Sequence, residues 1–343
     1  MRFPEFSGEW ENTELQYIAP NICSGKDKPT SNGTVALYGS TGIIGMTRLA
    51  SYNEEIVLVA RVGANAGQLQ ITTIPCGVTD NTLIINAKEW NRYIYYYLQH
   101  YNLNRLVFGS GQPLITGSML KKLKIIYGEE SERNKIVNLL CLLDERIATQ
   151  NKIIEDLKKL KSAISERLFK SVKGSTVLLS DLCDIVKGKQ INGENLSDSG
   201  NYYVMNGGTE PSGYYDNYNV EASTISISEG GNSCGYVQFN TSPFWSGGHC
   251  YSIQNIADKV DNMYLYHYLK SNEDAIMKLR IGSGLPNIQK KDLAMFKIIV
   301  PKIEWQIKIS TFLSSLERKA EIEERIQNVM QKQKLYLLQQ MFI

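Results

Sequence analysis

Leu106-Val-Phe-Gly-Ser-Gly-Gln-Pro-Leu-Ile115 and Leu279-Arg-Ile-Gly-Ser-Gly-Leu-Pro-Asn-Ile288 are two versions of one segment. They lie 173 residues apart (279 less 106), and the same offset continues without a gap. It pairs Leu120 with Leu293, Lys124-Ile-Ile126 with Lys297-Ile-Ile299, Leu140 with Leu313, Leu143 with Leu316 and Phe169 with Phe342. Upstream the match goes on with small changes of offset, as loops of unequal length produce. Tyr93-Ile-Tyr-Tyr-Tyr-Leu98 pairs with Tyr264-Leu-Tyr-His-Tyr-Leu269, Val62-Gly-Ala-Asn-Ala-Gly67 with Gly230-Gly-Asn-Ser-Cys-Gly235, and Ile22-Cys-Ser-Gly-Lys26 with Ile185-Val-Lys-Gly-Lys189. A shared Gly-Ser-Gly-x-Pro outside any helical pattern is not explained by chance similarity of two coiled coils, so the chain reads as one unit repeated head to tail.

Within each copy, β-branched runs such as Glu55-Ile-Val-Leu-Val-Ala60 and Ser223-Thr-Ile-Ser-Ile-Ser228 are bounded by Gly, Asn and Asp clusters and read as strands. A short tyrosine-rich helix is expected near 90–100 and again near 263–271, then the glycine turn and an apolar strand ending near Ile126 and Val300. Beyond Gly128 the apolar residues Ile136, Leu140, Leu143, Ile147, Ile154, Leu157, Ile164 and Leu168 recur at alternating steps of four and three, apart from Gln150 and Lys161. That is a coiled-coil seam. The second copy offers Ile309, Leu313, Leu316, Ala320, Met330, Leu337 and Met341, interrupted by Glu323, Gln327 and Lys334, where a local stutter onto Ile322, Ile326 and Val329 is expected. A helix of roughly 40 residues spans about 60 Å, more than one such domain needs to cover its own sheet. The expected architecture is therefore α+β. Two mixed α/β globular domains, 1–128 and 173–301, are separated by two long helices, 129–172 and 302–343. These pair as an antiparallel coiled coil and relate the halves by a pseudo-two-fold axis.

The 343 residues give room for two domains, 43% of them are hydrophobic, and no run approaches the length of a membrane span. Met1 to Trp10 lacks the basic start and apolar core of a signal peptide, and six scattered cysteines form no C-x-x-C pair, so a cytoplasmic protein with reduced thiols is expected. The formal net charge is only +2, and residues 173–301 carry 10 basic against 13 acidic side chains, a net of −3. Any polyanion site there must be a local cluster.

The usual catalytic signatures are missing: no phosphate loop, no G-x-S-x-G elbow, no H-E-x-x-H, no amino-methyltransferase tetrapeptide. Cys234, His249 and Cys250 could meet a metal, but the other copy has Ala66, Asn81 and Thr82 there, so no metal is expected. His267 stands where the other copy has Tyr96, which points to packing. Binding remains. Loops rich in Gly, Asn, Tyr and Lys suit close approach to a groove, because glycine admits the backbone and Asn or Gln can pair with base edges. Candidate DNA-binding residues in the first copy are Lys26, Lys28, Arg48, Arg61, Asn65, Gln68, Gln112, Lys121 and Lys122. In the second they are Lys187, Lys189, Gln190, Asn206, Tyr214, Tyr215, Asn217, Glu229, Asn232, Asn287, Gln289, Lys290 and Lys291.

The repeated domain, its Gly-Ser-Gly-x-Pro-x-Ile turn, the apolar strand leading into Lys135-Ile-Val-Asn-Leu-Leu-Cys-Leu-Leu-Asp144, and the opening Arg2-Phe-Pro-Glu-Phe-Ser-Gly-Glu-Trp10 resemble the specificity subunit of type I restriction-modification systems. The resemblance covers nearly the whole chain. It implies that each globular domain is a target recognition domain reading half of a bipartite, asymmetric double-stranded DNA site. The helices would be conserved regions that fix the spacing and dock two methyltransferase subunits. Adenine methylation with S-adenosylmethionine would belong to those partners, and ATP and Mg use to restriction subunits where present. The chain itself would be a non-catalytic, cytoplasmic subunit, and because the sequence stops at Ile343 after the second helix, no further terminal helix is expected. Two other readings compete: a coiled-coil adaptor whose ends bind proteins, and a silent or spare specificity subunit.

Overall fold

The computed structural model describes residues 2–107, 113–282, 284 and 286–342. They form two compact units, unit 1 from Met1–Asn151 with Arg325–Ile343 and unit 2 from Lys152–Glu324. Both boundaries fall inside long helices, Glu130–Ser171 and Ile303–Met341, so each unit owns part of each helix.

Among the described residues unit 1 holds nine strands: β1 (Glu11–Glu14), β2 (Cys23–Ser24), β3 (Val35–Gly39), β4 (Gly42–Thr47), β5 (Val57–Ala60), β6 (Leu69–Ile71), β7 (Cys76–Val78), β8 (Thr82–Ile85) and β9 (Lys124–Tyr127). They make an antiparallel sheet in the order β2-β8-β5-β6, a three-stranded sheet β4-β3-β7 whose β3/β7 pair is parallel, and the ribbon β1-β9. In unit 2 the strands are β10 (Ser175–Leu178), β11 (Asp184–Lys187), β12 (Tyr202–Met205), β13 (Tyr214–Tyr215), β14 (Thr224–Ser228), β15 (Val237–Asn240), β16 (Trp245–Ser246), β17 (Cys250–Gln254) and β18 (Lys297–Val300). Their sheets repeat the plan strand for strand: β11-β17-β14-β15, β13-β12-β16 with β12/β16 parallel, and β10-β18. The expected α+β repeat is what the chain forms.

The two central strands show how one scaffold accepts different sequences. β5 is Val57-Leu58-Val59-Ala60, buried at every position, and reads as an unbroken apolar run because both its faces are covered. β14 sends Ile225 and Ile227 into the core, while its buried Ser226 and Ser228 hydroxyls bond to Asn240 Nδ2 and to the Gly207 carbonyl.

Each sheet is covered by its tyrosine helix, Asn91–Tyr101 or Asn262–Ser271. Tyr93, Ile94, Tyr97 and Leu98 recur at helical spacing and turn inward. Their phenols are satisfied by the terminal strand: Tyr93 donates to the Ile126 carbonyl at 2.8 Å and Tyr97 to that of Lys124 at 3.2 Å. In unit 2, Tyr264 donates to the Ile299 carbonyl at 2.7 Å. A phenylalanine near the end of a long helix, within it at Phe169 and just past it at Phe342, closes each core. Phe342 packs edge-on against Tyr93 and Tyr97, and Phe169 against Tyr264 and Tyr268.

Within each unit the long helices pack antiparallel, since residue numbers rise along one as they fall along the other. In unit 1 Lys334 Nζ meets Asp144 Oδ1 at 2.6 Å and the Gln327 amide donates to Asn151; in unit 2 Lys161 meets Glu317 and Lys158 meets Glu324, each at 2.6 Å. Ile136, Leu140, Ile154, Ile309 and Leu313 are buried on the seam, and Leu143, Ile147, Leu157, Ile164, Leu168, Leu316, Met330 and Leu337 are half-buried. The stutter onto Ile322, Ile326 and Val329 does not occur. Those three are 48%, 39% and 64% exposed, whereas Glu323, Gln327 and Lys334 are half-buried. Polar residues keep the seam where they find polar partners on the facing helix, so no shift of register is needed.

Candidate nucleic-acid interface

At one end of each four-stranded sheet the loops converge on the residue that follows the central strand, Arg61 after β5 and Glu229 after β14. Two backbone hydrogen bonds at this residue, and a third made by the glycine two residues on, are the same in both units. Arg61 N donates to the Asn81 carbonyl at 3.0 Å and Glu229 N to that of His249 at 2.9 Å. Their own carbonyls accept from Ile115 N at 2.9 Å and Ile288 N at 2.8 Å. Gly63 N bonds the Pro113 carbonyl and Gly231 N that of Pro286, both at 3.0 Å. The glycine after β2 or β11 permits this crowding: a Cβ on Gly25 would lie 2.2 Å from the Val78 carbonyl oxygen, and one on Gly188 2.1 Å from that of Gly247.

Several of the residues singled out from the sequence meet here. In unit 2, Lys187 Nζ at the end of β11 donates to Glu229 Oε1 at 2.7 Å, and the Tyr251 hydroxyl donates to the same oxygen at 3.1 Å and to the Ile288 carbonyl at 3.0 Å. Burial and the neighbouring Glu229 carboxylate push the Tyr251 phenol up. Asn206 Oδ1 accepts from His249 N at 3.1 Å, and Asn287 is bridged to Gly230 and Ile281. Asn232 is exposed on the adjoining turn. Lys189 and Gln190, also exposed, follow β11; the Lys189 carbonyl accepts from the Trp245 indole at 2.9 Å. In unit 1, Arg61 Nη1 donates to Ser24 Oγ at 3.4 Å, with exposed Lys26 just beyond, and Asn65 and Gln68 lie exposed on the turn where Gln68 N bonds the Asn65 carbonyl.

Other candidates lie apart. Lys28 is exposed beyond Asp27, and Arg48 follows β4, its guanidinium held by the Ser31 carbonyl at 3.1 and 3.2 Å. Tyr214 and Tyr215 pair with β12, Tyr215 stands edge-on to Trp245, and Asn217 is exposed on the next loop. Lys121 ends the short helix Gly117–Lys121 and Lys122 follows it; Gln289, Lys290 and Lys291 begin the matching helix in unit 2. Gln112 lies outside the described residues. Ser24, Trp245 and Tyr251 are not among the residues that the sequence singles out, and His249 stands out there only as a possible metal ligand. For Ser24 the signal was present, because the repeat sets it opposite Lys187. Both candidate thiols are engaged by backbone: Cys234 donates to the Glu229 carbonyl at 2.9 Å and Cys250 to that of Tyr251 at 3.6 Å, and burial pushes the Cys250 thiol up to about 11.

Comparison with known proteins settles the family. The family model described as the type I restriction modification DNA specificity domain matches twice, at residues 2–159 and 173–332. The chain belongs to that family.

Among similar proteins, a putative type I specificity subunit of Mycoplasma genitalium is 34% identical over 122 residues, 35% of this chain and 31% of that protein. One of Mycoplasma pneumoniae is 32% identical over 145 residues, 42% and 38% of the two lengths. These matches span about a third of each relative. The crystal structure of the type I restriction-modification S subunit from M. genitalium covers 98% of this chain and 96% of its own, with a TM-score of 0.74 at 19% identity, so the fold of a specificity subunit is shared end to end. No helix among the described residues is long and apolar enough to cross a membrane.

Proposed function

We propose that this chain reads a bipartite, asymmetric double-stranded DNA site, one half through the loops around Arg61 and the other through the loops around Glu229. The observation that carries this reading is the pair of loop clusters, built on the same backbone hydrogen bonds and displaying different side chains. A shared frame with diverged polar groups suits two readers of unlike base sequences. The outer faces of the long helices would dock two methyltransferase subunits. They carry exposed apolar side chains that the seam does not use: Trp305, Phe312 and Leu160 in unit 2, Leu142, Val329 and Tyr336 in unit 1. In this reading adenine methylation and S-adenosylmethionine belong to those partners, and ATP and Mg to restriction subunits that join them.

The test is to express the chain with its methyltransferase subunits, purify the complex, and map methylated adenines on genomic DNA by single-molecule sequencing. A two-part motif with a fixed spacer is expected. An assembled complex that methylates without sequence preference refutes the proposal.

A further inference from the structure

Residue 24 of β2 occupies the place of 187 in β11, and residue 61 the place of 229. Strand registers confirm it: Ser24 faces Leu83 as Lys187 faces Tyr251, and Val59 faces Leu83 as Ile227 faces Tyr251. The side chains of each pair touch, yet the cation has changed strands. In unit 1 it is Arg61, anchored on the Ser24 hydroxyl; in unit 2 it is Lys187, anchored on the Glu229 carboxylate.

The two anchors differ in a way that limits what the cations can do. Glu229 is 8% exposed, its Oε1 takes both Lys187 and Tyr251, and its Oε2 is buried with no hydrogen-bond partner among the described residues. A buried carboxylate so placed holds the ammonium in one position and offsets its charge, which weakens attraction to a phosphate and leaves two directed N–H donors. The Lys187 side chain remains 54% exposed, so those donors face outward. Arg61 is half-buried and its guanidinium makes no hydrogen bond beyond Ser24 among the described residues, which leaves a planar fork of donors fixed at one corner. Held donors without net excess charge, or in fork geometry, match the two adjacent acceptors that guanine shows in the major groove.

We infer that the 24/61 and 187/229 pairs are one reading position in two versions, in which a cation anchored by its partner donates to the O6/N7 edge of a guanine, Arg61 in one half-site and Lys187 in the other. The inference rests on the bipartite reading proposed above. Glu229 is a positioning residue that acts through Lys187.

The test uses the complex with its methyltransferase subunits and DNA libraries randomised in one half-site at a time, read by methylation sequencing. Arg61→Gln should relax the preference for guanine tenfold or more at one position of one half-site, leaving the other half-site unchanged. Lys187→Gln should do the same in the other half-site, and Lys187→Arg should keep it. Glu229→Gln should blunt preference at the Lys187 position alone. The untouched half-site reports in each case that the complex is folded and assembled. Loss spread evenly over all library sequences would mean phosphate contact or a structural role, and would overturn the inference while the bipartite reading stands. A wild-type complex without preference in either half-site overturns both.

Discussion

The helix seam and the loop ends are both repeated in this chain, but they were repeated differently. On the seam the same ion pair occurs twice with the same polarity: Asp144 with Lys334 in unit 1, Glu317 with Lys161 in unit 2, both at 2.6 Å. At the loop ends the frame is identical while the side chains differ, Ser24 with Arg61 against Lys187 with Glu229. Seam residues answer to each other: loss of Lys334 or Lys161 leaves the half-buried Asp144 or Glu317 with only a tyrosine hydroxyl, that of Tyr96 or Tyr266, among its described partners. On the proposed reading the loop residues answer to DNA outside the chain, and their backbone bonds are the same whichever side chain is displayed. The contrast separates what builds the molecule from what, on that reading, meets DNA.

The largest effect should come from the phenylalanines that belong to the repeated framework. Phe342→Ala and Phe169→Ala each empty a buried aromatic site and should cost about 3–5 kcal/mol. The first should loosen unit 1 and the second unit 2, as hydrogen exchange resolved by peptide will show. Equal loss in both units from either change would break the assignment of one phenylalanine to each core.

A difference between the copies should appear with pH. His267, beside Ser314 Oγ at 2.9 Å, is pushed down to about 4 by burial, and unit 1 has Tyr96 in its place. The unfolded histidine, near 6.5, binds a proton that the folded one does not, so stability is complete above about 6.5 and falls as pH drops towards about 4, by roughly 3 kcal/mol at most. Urea unfolding at pH 7 and pH 4.5 should show this loss in unit 2 probes and its reduction in His267→Gln. An unchanged pH slope in that variant would remove histidine from the account.

Smaller, and shared by both units, should be the effect of filling the loop ends. Gly25→Ala and Gly188→Ala each drive a Cβ into a backbone carbonyl and should cost on the order of 1–3 kcal/mol while degrading recognition of one half-site each. Smallest is the seam pair. A double-mutant cycle on Asp144 and Lys334 should give a coupling of about 0.5–1 kcal/mol, because both side chains are partly exposed, and the cycle on Glu317 and Lys161 should give the same value. Clearly unequal couplings would weaken the contrast drawn between seam and loops.

Much of the fold was legible because the repeat is written at a constant offset from Leu106 onward, and its seam falls where Ile136, Leu140, Ile309 and Leu313 place it. The stutter was misread for a physical reason: a heptad pattern is scored along one helix, whereas Gln327 and Lys334 are accommodated by Asn151 and Asp144 on the facing one. At the candidate interface, Arg61, Lys187 and Glu229 were each picked out by residue type. Their meeting across strands was not, because it depends on strand register and on the carbonyls of Asn81 and His249. Nor could spacing alone say that Phe169 would serve the copy after it and Phe342 the copy before.

That exchange of phenylalanines has a consequence for how the chain is made. Leu338, Met341 and Phe342 are buried in the core of unit 1, while all of unit 2 lies between them and residue 151 in the sequence. Unit 2 is nested, and its residues run without interruption. On a ribosome the residues of unit 2 emerge together, while the earlier-born unit 1 still waits for Arg325–Ile343, so the unit begun first is the one completed last.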